Sequence, residues 1–257
     1  MANRLLSLTS LTSLTSLTPQ NKKDMNTNKN SYIIIYSAVL VIVVAFLLAY
    51  IFQALKPMQD VNVALDKKKQ ILAALNIRDL GDVESAEKYK QVVKADMIVD
   101  ANAQVVEQGE QGGENAAFKL NSADYKAGRL AVYECEVDGK KKYVIPVYGM
   151  GLWGPIWGYI ALDEDKNTVF GAYFNHDSET AGLGAEIKDS KAWQDQFKGK
   201  KIFAADGQEI AIAVKKKSDV KNPASECDAV TGATLTSDGV SLMLQDCFKK
   251  YINYLKK

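Results

Sequence analysis

Histidine is almost missing from this 257-residue chain; His176 is the only one. A multi-histidine metal centre is thereby excluded, and an imidazole base has a single candidate. Cysteine is scarce: Cys135, Cys227 and Cys247 stand far apart, with no C-x-x-C pair. That set is neither a zinc pattern nor a disulfide framework, and the sequence does not choose a pair for one bridge. Net charge is also close to absent, because 32 Lys and Arg face 31 Asp and Glu, leaving +1. Nucleic acid calls for a basic excess, so that class of partner is set aside. What remains is an ordinary folded composition, 47% apolar and 25% charged, long enough for one compact domain and additional elements.

The strongest positive signal is an apolar run from Tyr32 to Leu55, with no charge and only Ser37 and Gln53 clearly polar. A bilayer span needs about 20 such residues, and Tyr32, Tyr36 and Tyr50 suit its interfaces. A cleaved signal peptide is the rival reading. Its apolar core would be about 7–15 residues, and no A-x-A site closes this run, so a retained transmembrane helix over 31–55 is expected. Lys22, Lys23 and Lys29 precede the run, while Lys56 and Lys67–Lys69 follow it, so the charge count does not orient it. Residues 1–30 read as a disordered tail. Leu-Thr-Ser recurs through Ser7–Leu17, and Met25 is an alternative start.

Residues 56–125 read as a helical stalk with accessory structure. Val61 to Leu80 has helical spacing, with Val61, Leu65, Ile71, Leu72 and Leu75 inward and Lys67–Gln70 as a solvated face. A second helix is expected over Ser85–Val92, and an exposed loop over Gln104–Glu114. From residue 126 the texture becomes β-rich. Arg129–Val137 and Lys142–Val147 flank Asp138-Gly139, a hairpin signal. Ile156–Leu162 and Thr168–Phe174 form a further pair, and Glu209–Val214 another strand. Short helical patterns cover Ala185–Trp193, capped by Ser178 or Thr180, and Lys191–Phe197. The final helix, Asp238–Leu255, would be capped by Thr236 or Ser237, with Val240, Leu244, Cys247, Phe248, Tyr251 and Leu255 on its core face. The fold class is α+β: an anchor followed by a mixed antiparallel sheet with flanking helices.

Three stretches carry chemistry. Tyr148–Ile160 holds four Gly and two Trp. The glycines let backbone approach a flat ligand, while Trp153 and Trp157, taken alone, are better read as core. His176–Ala185 is a turn with Glu179, Thr180, Gly182 and Gly184. His176 is not read as a base or a ligand. Asp228–Ser237 is rich in Thr, Ser and small residues ahead of a helix, whose free N–H groups and dipole favour a phosphate. Lys215-Lys216-Lys217 reads as a solvated strand end or as positive potential near that phosphate.

Thr231-Gly232-Ala233-Thr234, with Asp228 upstream, resembles the flavin-attachment signature of bacterial FMN-binding domains. Gly149-x-Gly151-Leu152-Trp153-Gly154-Pro155, Glu179-Thr180-x-Gly182-Leu183-Gly184-Ala185-Glu186 and Ala64-Leu65-Asp66-Lys67 are similar to further stretches of that family, the two glycine-rich ones in the expected order. From about residue 25 onward the chain is similar to the C-subunit family of the sodium-translocating NADH:quinone oxidoreductases. It departs at Ala181, where family members often have Pro. The resemblance implies FMN bonded by a phosphoester to Thr234, added by a flavin transferase from FAD. It places Leu152, Trp153, Glu179, Thr180, Gly182, Leu183 and Gly184 around the ring, with Thr231, Gly232, Ala233, Leu235 and Thr236 beside the attachment and Lys215 facing flavin or phosphate. It implies electron relay within a six-subunit sodium pump, with no complete activity alone and no catalytic or metal-binding residue. The anchor would lie in the bacterial inner membrane, embedded in the lipid bilayer, with the domain on the periplasmic side. The alternatives are the G subunit of the related ferredoxin:NAD oxidoreductase complex and a membrane-anchored sensory or binding module without redox function.

Overall fold

The computed structural model describes residues 29–257, so the tail, the Leu-Thr-Ser run and the Met25 start lie almost wholly outside the described residues. The chain divides into two units, 1–57 and 58–257. In the first unit the long helix α1 (Asn30–Ala74) begins. Among the described residues it is the one helix long and apolar enough to cross a membrane. Its large apolar side chains from Ile33 to Leu55 are exposed, as a span that meets lipid requires. Pro57 lies inside α1 at the unit boundary and supplies no N–H to the helix ladder.

The second unit begins with the rest of α1. This helix stops at Ala74, short of the expected Leu80. Asn76 turns left-handed at φ 63°, its amide donates to Ala73 O at 3.1 Å, and Ile77 N donates to Leu72 O at 2.9 Å. That pair of bonds is a Schellman stop, with Asn in the place usually held by Gly. The expected solvated face is also corrected. Gln70 is buried, and Lys67 donates to Phe118 O at 2.6 Å with its ammonium 4.6 Å from the Phe118 ring. Helix α2 (Asp82–Val92) starts earlier than expected, because Glu84 folds back to accept from Gly81 N at 3.2 Å.

A six-stranded antiparallel sheet follows, in the order β2-β1-β3-β4-β5-β6. Its strands are β1 (Val93–Val99), β2 (Val105–Gln108), β3 (Leu130–Val137), β4 (Lys140–Met150), β5 (Pro155–Leu162) and β6 (Val169–His176). β2 lies in the stretch expected to be loop. It is a short edge strand, exposed along its length, and pairs Met97 with Gln108. β1 pairs with β3 from Val99–Leu130 to Val93–Cys135, so the sheet draws on chain from both sides of residue 126. The hairpin at Asp138-Gly139 forms as expected, with φ of 51° and 71° at the two turn residues, the requirement of a type I′ turn.

Both faces of the sheet are covered. Ala95, Met97, Val132, Ile145, Val147 and Ile160 point to one side and pack with Val240, Leu244, Phe248 and Leu255 of the last helix, Thr234–Leu255. Their neighbours along the strands, Ile98, Ala131, Tyr133, Val144 and Ala161, point the other way, onto Ile71, Leu72 and Leu75 of α1 and Tyr89 and Val92 of α2. This is the period-2 alternation of a strand, applied to a sheet with two cores. Each fully buried Leu, Ile or Phe contributes about 1.5–3 kcal/mol.

Three short helices complete the domain. α3 (Ser122–Lys126) precedes β3, while α4 (Glu186–Asp189) and α5 (Lys191–Asp195) follow β6; the last helix is α6 (Thr234–Leu255). Ser190 Oγ caps α5 by accepting from Trp193 N at 3.2 Å. The expected cap at Ser178 or Thr180 does not form. Ser178 Oγ donates instead to Trp153 O at 3.2 Å. The expected strand Glu209–Val214 is reduced to β7 (Ala213–Lys215), which pairs in parallel with β8 (Glu226–Asp228).

Candidate functional site

The site gathers at the end of the sheet where β4 turns into β5. Met150 pairs with Pro155, and Gly151 N donates to Gly154 O at 2.8 Å. The turn between them lifts Leu152 and Trp153 out of the sheet, where they are 48% and 65% exposed. Trp153 is therefore not core, against the expectation from its residue type alone. Trp157, further along β5, is half-buried, and its indole donates to Gln70 Oε1 at 3.0 Å.

The second wall is the turn after β6. Thr180 O accepts from Leu183 N at 3.1 Å and Ala185 N at 3.0 Å, with Gly182 at φ 72°. His176 anchors this turn: its Nδ1 accepts from Glu179 N at 3.1 Å, which ties the ring to the turn's backbone.

The third wall is the start of α6. The helix begins at Thr234, four positions before the expected Asp238, and Ala233 gives it no side-chain cap. The two hydroxyls expected to cap it are engaged elsewhere. Thr236 Oγ1 donates to Glu179 Oε2 at 2.7 Å, and Ser237 Oγ accepts from Val230 N at 3.0 Å. The start of α6 thus has no side-chain cap, and its first-turn amides and the positive end of its dipole face the Thr234 end of the cleft without a capping hydroxyl. Gly232, at φ 79°, makes the turn into the helix; a Cβ there would lie 3.0 Å from Leu183 Cδ2.

Backbone approaches set the position of this helix start. A Cβ on Gly239 would meet Met150 O at 2.4 Å, and one on Gly149 would meet Met243 Cβ at 2.6 Å. These glycines let α6 lie directly on β4. The glycines near β4 stand out in the sequence, whereas their partner in the helix, Gly239, is signalled only by its place on the same face as Met243.

The three walls enclose a cleft of about 190 Å³ lined by Leu152, Trp153, Glu179, Thr180, Leu183, Gly184 and Gly232–Thr236. Every lining residue was expected from the sequence. Thr234 is half-buried in it, while Leu183 and Leu235 join Leu152 and Trp153 as an exposed apolar rim. Gly182 and Thr231 line the adjoining hollow of about 530 Å³, together with Glu186, Trp193, Lys217 and Asp228. Lys215 lines neither. Its ammonium pairs with Glu226 at 2.6 Å. Burial would raise the Glu226 carboxyl, but the Asn222 amide, the Lys215 ammonium and the Lys221 amide outweigh it and hold the group below the usual range. Cys135, Cys227 and Cys247 are buried free thiols.

An anion joined to Thr234 would meet uncovered helix amides, and a flat ring beside it would meet aliphatic and indole surface. The donor set and the lack of a Cβ at Gly232 fit an FMN phosphate and isoalloxazine. Known proteins point the same way. The family model described as FMN-binding domain matches residues 151–249. The C subunit of the Na(+)-translocating NADH-quinone reductase of Vibrio anguillarum is 34% identical over 199 residues, covering 72% of this chain and 77% of that protein. Its namesake from Pseudomonas aeruginosa is 32% identical over 235 residues, covering 79% and 87%. The crystal structure of the C subunit of this reductase from Parabacteroides distasonis superposes with a TM-score of 0.72 at 36% identity, over 79% of this chain and 98% of that one.

Proposed function

The chain belongs to the family of C subunits of the Na(+)-translocating NADH-quinone reductases, and from that premise we propose that it relays electrons through an FMN bonded by a phosphoester to Thr234. It is one subunit of an oxidoreductase and has no complete activity alone. The observation that carries the attachment is the placing of Thr234. It is the first residue of an uncapped helix, inside a cleft whose other walls are the two upstream glycine-rich turns.

When bound, FMN supplies the redox chemistry, and the protein supplies position and field. The start of α6 stabilises the phosphate by about 0.3–1 kcal/mol, more where partly buried. Leu152, Trp153, Leu183 and Leu235 present apolar surface to the ring. A cleft of about 190 Å³ is below the roughly 300–1,000 Å³ of pockets that engulf a drug-sized ligand. A covalent tether then does what enclosure cannot, and it leaves an edge open to a redox partner. No side chain has to move a proton. A flavin transferase is required for maturation. α1 anchors the protein in the lipid bilayer of the inner membrane, with the domain on the periplasmic side. Sodium translocation belongs to the assembled complex, six subunits in this reading, since one span offers no ion path.

Coexpression of the full chain with a flavin transferase, followed by a denaturing gel under ultraviolet light, tests the reading. A fluorescent band that disappears in Thr234→Ala supports it. A dark wild-type band with a competent transferase present would sink it. Loss of the band in Thr231→Ala or Thr236→Ala with retention in Thr234→Ala would move the attachment to another hydroxyl.

A further inference from the structure

Glu179 is only 8% exposed, yet both of its carboxylate oxygens are used across the site. Oε1 accepts from Trp153 N at 2.9 Å, and Oε2 accepts from Thr236 Oγ1 at 2.7 Å. One side chain thereby joins the β4–β5 turn, the turn after β6 and the start of α6, the three walls of the cleft. Two glycines close over it. A Cβ on Gly151 would lie 2.4 Å from Oε1, and one on Gly184 would lie 2.4 Å from Oε2. Among the described residues no ammonium or guanidinium lies within 4.0 Å of this carboxylate, and the nearby His176 faces its backbone as an acceptor.

These hydrogen bonds do not require a carboxylate. A glutamine could accept from Trp153 N through its oxygen and donate to Thr236 Oγ1 through its amide, because a hydroxyl both donates and accepts. What glutamine could not supply is charge. The carboxylate sits in the wall of the cleft, held by these two donors and by the N-terminal end of α6 rather than by a cation. A negative charge held there opposes the arrival of electrons at a group bound beside it, and in a dry, low-dielectric wall it does so strongly. We propose that Glu179 is a positioning residue that also sets the redox poise of the bound flavin, holding its reduction potential down through a carboxylate that no cation pairs. This rests on the FMN reading above.

The test uses the full chain, coexpressed with a flavin transferase and purified in detergent, as wild type, Glu179→Gln and Glu179→Asp. Flavin content is read by in-gel fluorescence and the midpoint potential by spectroelectrochemical titration. Glu179→Gln is expected to keep the band and to raise the potential by the equivalent of about tenfold in the reduction constant, about 59 mV for a one-electron couple. Glu179→Asp keeps the charge and is expected to stay within about threefold of wild type, about 30 mV on the same scale. An unchanged potential in Glu179→Gln overturns the proposal while leaving the FMN reading intact. So does an equal rise in Glu179→Asp, which would trace the effect to loop geometry, and so does loss of flavin from a folded Glu179→Gln chain. If Glu179→Gln fails to fold, Glu179→Ala against Glu179→Asp carries the same neutral-versus-charged comparison. A dark wild-type band removes the FMN reading and this proposal together.

Discussion

The Trp157 indole donates to Gln70 Oε1 at 3.0 Å, joining residues 87 positions apart. Gln70 Nε2 in turn donates to Asp66 Oδ2 at 2.5 Å. The last turns of α1 are thus fixed to β5 by a polar bond as well as by apolar packing. Trp157→Phe leaves the buried Gln70 oxygen without a donor. The expected cost is about 1–3 kcal/mol, read as a lower urea midpoint of the full chain in detergent, with Gln70→Leu in the same background recovering part of the loss.

Gly239→Ala places a methyl group 2.4 Å from Met150 O. That contact is with backbone and cannot be relieved by a rotamer change, so α6 must lift from β4. A loss of about 1–3 kcal/mol is expected. Because the cleft spans these two elements, the yield of fluorescent band should fall as well. A fall in stability with an undiminished flavin yield would show that the site tolerates a shifted helix.

Burial pushes the Lys67 ammonium down to about 8, with Asp96 opposing the shift. Between about pH 8 and 10.5 the unfolded chain holds a proton at this position that the folded chain has released. Stability from this group therefore rises with pH through that window, and the penalty is fully present below about pH 8. Buried groups such as Cys227, raised from 9.0 to about 12 by burial, act in the opposite direction as their unfolded forms ionise. The comparison that isolates Lys67 is wild type against Lys67→Met. The unfolding free energy of the wild type relative to the variant should rise by on the order of 2 kcal/mol from about pH 7.5 to about pH 10.5.

All three thiols are buried and unpaired, and burial raises the Cys227 and Cys247 thiols above their usual value, which disfavours the reactive thiolate. Native protein should resist iodoacetamide, with all three thiols reacting only in denaturant. Mobility on a denaturing gel should be the same with and without reductant. Rapid labelling of Cys247 in the native state would show that α6 opens locally.

Local rules read well where the cause is local. Asp138-Gly139 specifies its turn through two positive φ values, and the core face of α6 follows from spacing, with Val240, Leu244, Cys247, Phe248, Tyr251 and Leu255 all buried. The start of α6 differs from its expected place for the converse reason. Thr236 and Ser237 have the right chemistry for caps, but Glu179 and the Val230 amide, distant or outside the helix, claim their hydroxyls. Lys67 and Gln70 look solvated because charge and amide suit water. Phe118 and Trp157, which cover them, are far away in sequence. In the site, the three motifs supply every residue lining the small cleft. The register of the Lys215-Lys216-Lys217 run was not legible, because Glu226 captures Lys215 from the neighbouring strand β8.

The close approach of Gly149 to Met243 and of Gly239 to Met150 also sets an order of events in biogenesis. The surroundings of Thr234 come from turns near residues 152, 180 and 232, and they meet only when the sheet has closed and the C-terminal helix has docked on it. If Thr234 is the acceptor, its environment exists only once the domain has folded, and flavin content would then report which molecules reached the native state.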